Sequence, residues 1–229
     1  MLNMKNSRSG SRLYGRQKGR PLHKRKAELV QSLLPRLAID PDQLNTLIEP
    51  KSLFATPIQQ LWLEIGFGAG EHLAAQASWH TGISFIGCEP FLNGIASLLD
   101  HVDRQQLTNI RIWPQDAALL LDALPMASLD RCFLLFADPW PKARHAKRRF
   151  IQPDNINRLA RALKLDAELV FATDHTILAN WVGEQMAQSD QFTLIYDSDQ
   201  PPPDWIATRY EAKGRAAGRM PVYRLYRRT

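Results

Sequence analysis

Leu61-Trp62-Leu63-Glu64-Ile65 runs without interruption into Gly66-Phe67-Gly68-Ala69-Gly70-Glu71, and this stretch decides the fold. Its first half is a short apolar run ended by glycine, whereas the residues from Glu71 to Trp79 return to helical spacing, so the segment reads as strand, tight turn and helix. Gly66, Gly68 and Gly70 permit positive φ and let a ligand approach the backbone closely, which bulkier residues would block. In an open α/β sheet the carboxyl end of such a strand is where nucleotide-like cofactors bind.

The same rhythm continues outward. Strands are expected at Ile83 to Cys88, Ile110 to Trp113, Leu129 to Ala137 and Glu168 to Thr173, with helices at Phe91 to Val102, from Asp116, near Asp154 to Leu163 and from His175. This alternation predicts an α/β fold with a doubly wound, Rossmann-like, mainly parallel sheet. Phe192 to Tyr196 and the alternation at Val222, Tyr223, Leu225 and Tyr226 predict an antiparallel hairpin at the sheet edge; Pro201, Pro202, Pro203 and a polar segment lie between them. Upstream, a helix from Lys24 through Glu28, Leu29, Leu33 and Leu34 leads into the core. Residues 1–23 lack apolar periodicity and read as a flexible basic arm, leaving residues 24–229 as a single domain.

The chain has 229 residues, 45% of them hydrophobic and 23% charged, which is the balance of a globular protein and not of a disordered or fibrous one. Its net charge of +6 is clustered. Lys5, Arg8, Arg12, Arg16, Lys18, Arg20, Lys24, Arg25 and Lys26 precede the first acidic residue, Glu28, and a second run holds Lys142, Arg144, His145, Lys147, Arg148 and Arg149. Clustering of this kind points to nucleic acid as a partner. Cys88 and Cys132 both fall in expected strands, so neither a disulfide framework nor a metal site is suggested. With no apolar run of membrane-spanning length and no signal-like N-terminus, the expectation is a cytoplasmic protein without a membrane partner. A monomer and a homodimer are both compatible with the sequence.

Charge selects among cofactors. A dinucleotide fingerprint counted from Gly66 and Gly68 needs a third glycine at position 71, where a carboxylate, Glu71, would repel a pyrophosphate. S-adenosylmethionine has no phosphate and carries a sulfonium and an ammonium group, so Glu64 and Glu71 around the loop are tolerable or favourable. Glu89, after the second strand, stands where a carboxylate accepts hydrogen bonds from both ribose hydroxyls. Asp116, after the third, is placed either to bind the adenine amino group or to cap the following helix.

The fourth strand ends in Asp138-Pro139-Trp140-Pro141-Lys142-Ala143-Arg144-His145-Ala146-Lys147-Arg148-Arg149. Prolines at 139 and 141 fix φ and restrict the residues before them, giving Asp138 and Trp140 a stiff presentation beside the cofactor. Together with Leu63-Glu64-Ile65-Gly66-Phe67-Gly68 and Thr208-Arg209-Tyr210-Glu211-Ala212-Lys213, this loop resembles the signature set of the tRNA (guanine-N7-)-methyltransferases, over about residues 60 to 226.

The resemblance implies a methyltransferase fold that moves the methyl group of S-adenosylmethionine to guanine N7 in the variable loop of tRNA, leaving S-adenosylhomocysteine. N7 carries a free lone pair, so the reaction needs alignment and desolvation, not a strong base. Asp138 is the expected catalytic residue, opposing the positive charge that develops on the purine or accepting hydrogen bonds from guanine N1 and N2. Lys142, Thr208, Arg209, Tyr210 and Glu211 resemble the family's substrate-contacting positions, with an internal Arg209–Glu211 ion pair as the alternative for that segment. Asp174, at another strand end, either holds the base or loop or caps the helix from His175. Arg144, His145, Lys147, Arg148 and Arg149 are expected to grip the RNA backbone. Methylation of an exocyclic amine, a non-catalytic RNA-binding role and a nicotinamide oxidoreductase are the competing readings.

Overall fold

The structure, a computed structural model, describes residues 19–41 and 47–229. The expected arm therefore lies outside the described residues except for its last five positions, 19–23.

Two short helices lead in, α1 (Lys24–Ser32) and α2 (Leu34–Leu37). The expected single helix is divided at Leu33 because Pro35 lacks an N–H and suits only the first turn of a new helix. The core then alternates β1 (Gln60–Ile65), α3 (Glu71–Trp79), β2 (Ile83–Cys88), α4 (Leu92–Gln105), β3 (Ile110–Trp113), α5 (Ala117–Ala123), β4 (Leu129–Leu135), α6 (Pro153–Ala162), β5 (Leu163–Thr173) and α7 (Thr176–Ala187). It closes with β6 (Phe192–Ser198), α8 (Arg209–Ala216) and β7 (Val222–Arg228).

The strands form one sheet in the order β3-β2-β1-β4-β5-β7-β6. β1 to β5 are parallel to one another, whereas β7 is antiparallel to both β5 and β6. The two late strands pair as expected, but β7 inserts between β5 and β6, which leaves β6 at the edge. β5 begins directly after α6, five residues earlier than its expected start at Glu168, and the polar stretch after the prolines contains α8.

Both faces of the parallel part are covered, which explains the nearly unbroken apolar runs of β1 and β2. On one face Leu63, Ile65, Cys132 and Phe171 meet α5, α6 and α7 through Leu121, Leu159 and Val182. On the other, Trp62, Phe85, Phe133 and Tyr223 meet α3 and α4 through Leu73, Ile95 and Leu99, and α1 joins this side through Leu29. Arg25 ties α1 to α4 through Asp100 and Asp103, at 2.7 and 2.8 Å.

Candidate active site

The strand order reverses between β1 and β4, so the crevice lies outside their carboxyl ends. The glycine loop, Glu89, Asp116, Asp138 and Asp174 all follow carboxyl ends of parallel strands. A doubly wound topology therefore gathers residues far apart in sequence.

The glycine loop is held in left-handed backbone conformation at Gly66, Gly68 and Gly70. Gly68 N–H donates to Glu89 Oε2 and Phe91 N–H to Glu89 Oε1, each at 2.9 Å. These bonds fix the carboxylate while each oxygen keeps a second lone pair for a ligand. α4 comes so close that a Cβ at Gly94 would collide with the Gly68 carbonyl oxygen. Burial raises the pKa of Glu89 above the ordinary carboxylate value; the two N–H donors oppose that shift, and the charges of Asp138 and Glu64 add to it. Three carboxylates thus face one crevice closely enough to feel one another.

Glu64, near the end of β1, is buried, and its Oε2 lies 2.7 Å from His72 Nδ1 on α3. Asp116 caps α5 by accepting the Ala118 N–H at 2.9 Å, and its carbonyl accepts the Trp113 indole N–H at 2.8 Å. Glu71 meets Arg209 at 3.6 Å.

β4 ends at Leu135, and the chain then turns sharply, with positive φ at Phe136 and again at Trp140. Asp138 is exposed between those turns. A 3-10 helix spans Ala143–Arg148. Lys142, Arg144 and Lys147 are exposed. His145 packs edge-on against Trp140 at 5.9 Å, and the Arg148 guanidinium lies 4.9 Å from the centre of the same ring.

Arg149 departs from the expectation of a backbone grip. It is 6% exposed, its guanidinium packs 4.9 Å from the Trp181 ring, and it donates to the carbonyls of Pro139 and Trp140 at 3.1 and 3.0 Å. A run of cations in sequence has been divided by the fold, with Arg149 turned inward beneath the Asp138 loop.

The segment Thr208 to Glu211 alternates in exposure. Thr208 caps α8, accepting the Glu211 N–H at 3.0 Å. Arg209 and Tyr210 are exposed, and Tyr210 lies over Gly68. Glu211 is 5% exposed and accepts from Tyr223 Oη at 2.6 Å, Trp205 Nε1 at 2.7 Å and Arg215 Nε at 3.1 Å. Burial pushes its pKa up, but these three donors outweigh burial and hold it below the ordinary value. Arg209 pairs with Glu71 and Glu211 with Arg215, so the Arg209–Glu211 pair is not the arrangement formed. Asp174 does not cap α7; its Oδ2 accepts from Arg219 at 2.7 Å, and it lies against Gly214 of α8. Sequence reasoning missed His72, Gln76, Trp205, Tyr223 and Arg219, which hold the site residues from behind.

The family described as "Putative methyltransferase" matches residues 58–225. A tRNA (guanine-N(7)-)-methyltransferase of Paramagnetospirillum magneticum is 47% identical over 95% of this chain and 92% of its own length. One from Zymomonas mobilis is 46% identical over 95% and 94%. The chain belongs to the tRNA (guanine-N(7)-)-methyltransferase family. Solved structures of low identity share the fold: the 16S rRNA methyltransferase KamB has a TM-score of 0.56 at 13% identity over 75% of this chain and 88% of its own. An rRNA methylase from Streptococcus thermophilus has a TM-score of 0.52 at 12% identity over 82% and 92%.

Among the described residues no helix is long and apolar enough to cross a membrane, and no group of three or more His, Cys, Asp or Glu is arranged to hold a metal ion.

Proposed function

We propose that this protein transfers the methyl group of S-adenosylmethionine to N7 of a guanine in the variable loop of tRNA. One observation carries the reading within the family. Asp138 and the doubly anchored Glu89 share the crevice at the point where the sheet reverses, with the exposed Arg209 and Tyr210 above the glycine loop.

The residues fit the cofactor. Glu64 is a buried carboxylate with no lysine or arginine partner among the described residues, as a site for a cationic ligand requires. Glu89 would take the ribose hydroxyls, Asp116 the adenine amino group, and Glu64 and Asp138 the charged end. When bound, S-adenosylmethionine supplies an electrophilic methyl group on sulfur. Glycine-loop amides and Glu89 orient the ligand, while Tyr210 roofs the loop against water.

The N7 lone pair forms the new bond to carbon, the C–S electron pair stays on sulfur, and no proton leaves the base. Asp138 lies where a carboxylate opposes the charge growing on the purine, stabilising the transition state more than the ground state. Lys142, Arg144 and Lys147 supply phosphate contacts, Arg209 a further one, and Tyr210 a stacking surface. His145 and Arg148 contribute beside them while packed on Trp140. Arg149 and Glu211 serve from beneath, holding the loop and α8, and Asp174 braces α8 through Arg219. With tRNA as substrate, the protein works in the cytoplasm.

The test is transfer of labelled methyl to unfractionated tRNA, nucleoside digestion and mass spectrometry, with Asp138→Ala alongside. N7-methylguanosine that is lost in the variant is the expected result. An N-methylamino base instead would sink the N7 assignment, and tRNA binding without transfer would favour a non-catalytic role.

A further inference from the structure

His72 is a buried ionisable side chain to which the reaction just described gives no task. It stands on the first turn of α3, 4% exposed, with the Phe133 and Trp205 rings 5.0 and 6.1 Å away. Its Nδ1 is 2.7 Å from Glu64 Oε2, and its Nε2 is 3.3 Å from Gln76 Nε2, one turn further along the helix. An amide nitrogen donates and does not accept. Both ring nitrogens are thus engaged, Nδ1 by Glu64 and Nε2 by Gln76.

The pair is closed off from solvent, Glu64 being itself only 4% exposed. A lysine or arginine at position 72 would neutralise the carboxylate. A histidine there fixes its rotamer without bringing the permanent charge of an arginine. Buried carboxylates favour a cation strongly, because water is no longer there to solvate them. Gln76 holds the ring from its far side, just as outer partners set the orientation of histidines bound to metals.

We propose that His72, held by Gln76, is a positioning residue that keeps the Glu64 carboxylate in one rotamer beside the glycine loop. Through this pair the site recognises the cationic amino-acid end of its cofactor independently of the nucleoside. The inference rests on the reading that the crevice holds S-adenosylmethionine.

Calorimetric titration with two ligands tests it: S-adenosylmethionine, and 5′-methylthioadenosine, which keeps the nucleoside and thioether but lacks the sulfonium and ammonium charges. His72→Leu is expected to weaken the first about tenfold and to change the second less than about twofold. His72→Asn, whose amide N–H can replace the Nδ1 donor, should recover most of the loss. If His72→Leu does not fold, Gln76→Met, which removes the donor to Nε2, is read in the same way. Parallel weakening of both ligands, or unchanged affinity for S-adenosylmethionine, overturns the proposal. Failure of the unaltered protein to bind S-adenosylmethionine would instead overturn the cofactor reading beneath it.

Discussion

The phenol ring of Tyr210 lies directly over Gly68: a Cβ at position 68 would stand 2.9 Å from Tyr210 Cε2 and 3.0 Å from its hydroxyl oxygen. A residue of α8 thus covers a residue of the glycine loop, and the two halves of the candidate site are in contact. Gly68→Ala meets both this ring and a φ of +58°. The left-handed conformation alone costs about 1–2 kcal/mol for a side chain. Denaturant unfolding should show that loss in any background, whereas loss of S-adenosylmethionine affinity should be partly relieved by Tyr210→Ala. Strict additivity of the two substitutions would show that the contact carries no coupling.

Arg149 and its exposed neighbours should separate kinetically. Arg149→Lys keeps the charge but loses the two-pronged hold on the Pro139 and Trp140 carbonyls, because a lysine has no planar fork. Its kcat is expected to fall while tRNA affinity and the salt dependence of binding stay unchanged. Arg144→Ala and Lys147→Ala should do the reverse, each lowering the slope of log K against log salt by about 1. A reduced salt slope in Arg149→Lys would return that residue to the RNA-facing set.

Glu89 makes a prediction about pH. Its pKa is raised in the folded protein, chiefly by burial, so the folded state holds its proton more tightly than the unfolded chain. Its stabilising contribution is complete below the unfolded carboxylate value and is lost as pH rises through the folded one. The free protein should lose stability across that window, and Glu89→Gln should remove this component while weakening cofactor binding. Thermal melts against pH, with and without S-adenosylmethionine, measure both effects.

Glu211 behaves with the opposite sign. Its folded pKa is lowered because the donors from Tyr223, Trp205 and Arg215 outweigh burial, so its contribution is present above the unfolded value and lost as pH falls through the folded one. Burial and the Glu211 carboxylate in turn push the Tyr223 phenol up to about 12. Glu211→Gln should therefore destabilise the protein at neutral pH, with less difference from the unaltered chain in acid. Thr208→Ala, which removes only the helix cap, should cost about 1 kcal/mol and weaken tRNA binding more than cofactor binding.

Most of the fold was legible because parallel strands covered on both faces write themselves as apolar runs, and their helices as 3.6-residue patterns between them. Leu61 to Ile65 and the glycines after it are the clearest instance. α8 was harder to see, since its residues are mostly polar and only Glu211 and Gly214 are buried. Its signal was the Thr208-x-x-Glu211 spacing of a helix start, which resembles a substrate motif when read for chemistry alone. The inward turn of Arg149 was not legible at all. What draws it in is the Trp181 ring on α7, more than thirty residues away, and nothing local distinguishes it from Arg148. His72 was hidden for a similar reason: its task depends on Glu64 and Gln76 arriving at the same depth.

The insertion of β7 between β5 and β6 bears on how the protein is made. Synthesis delivers β5 and β6 before the strand that joins them, so until residues 222–228 follow β5 pairs only with β4 and β6 has no strand beside it. Tyr223, which anchors Glu211 and hence α8, arrives with that same strand. The anchoring of α8 through Glu211 therefore waits on β7, whereas the parallel strands β1 to β5 need nothing from it to pair with one another.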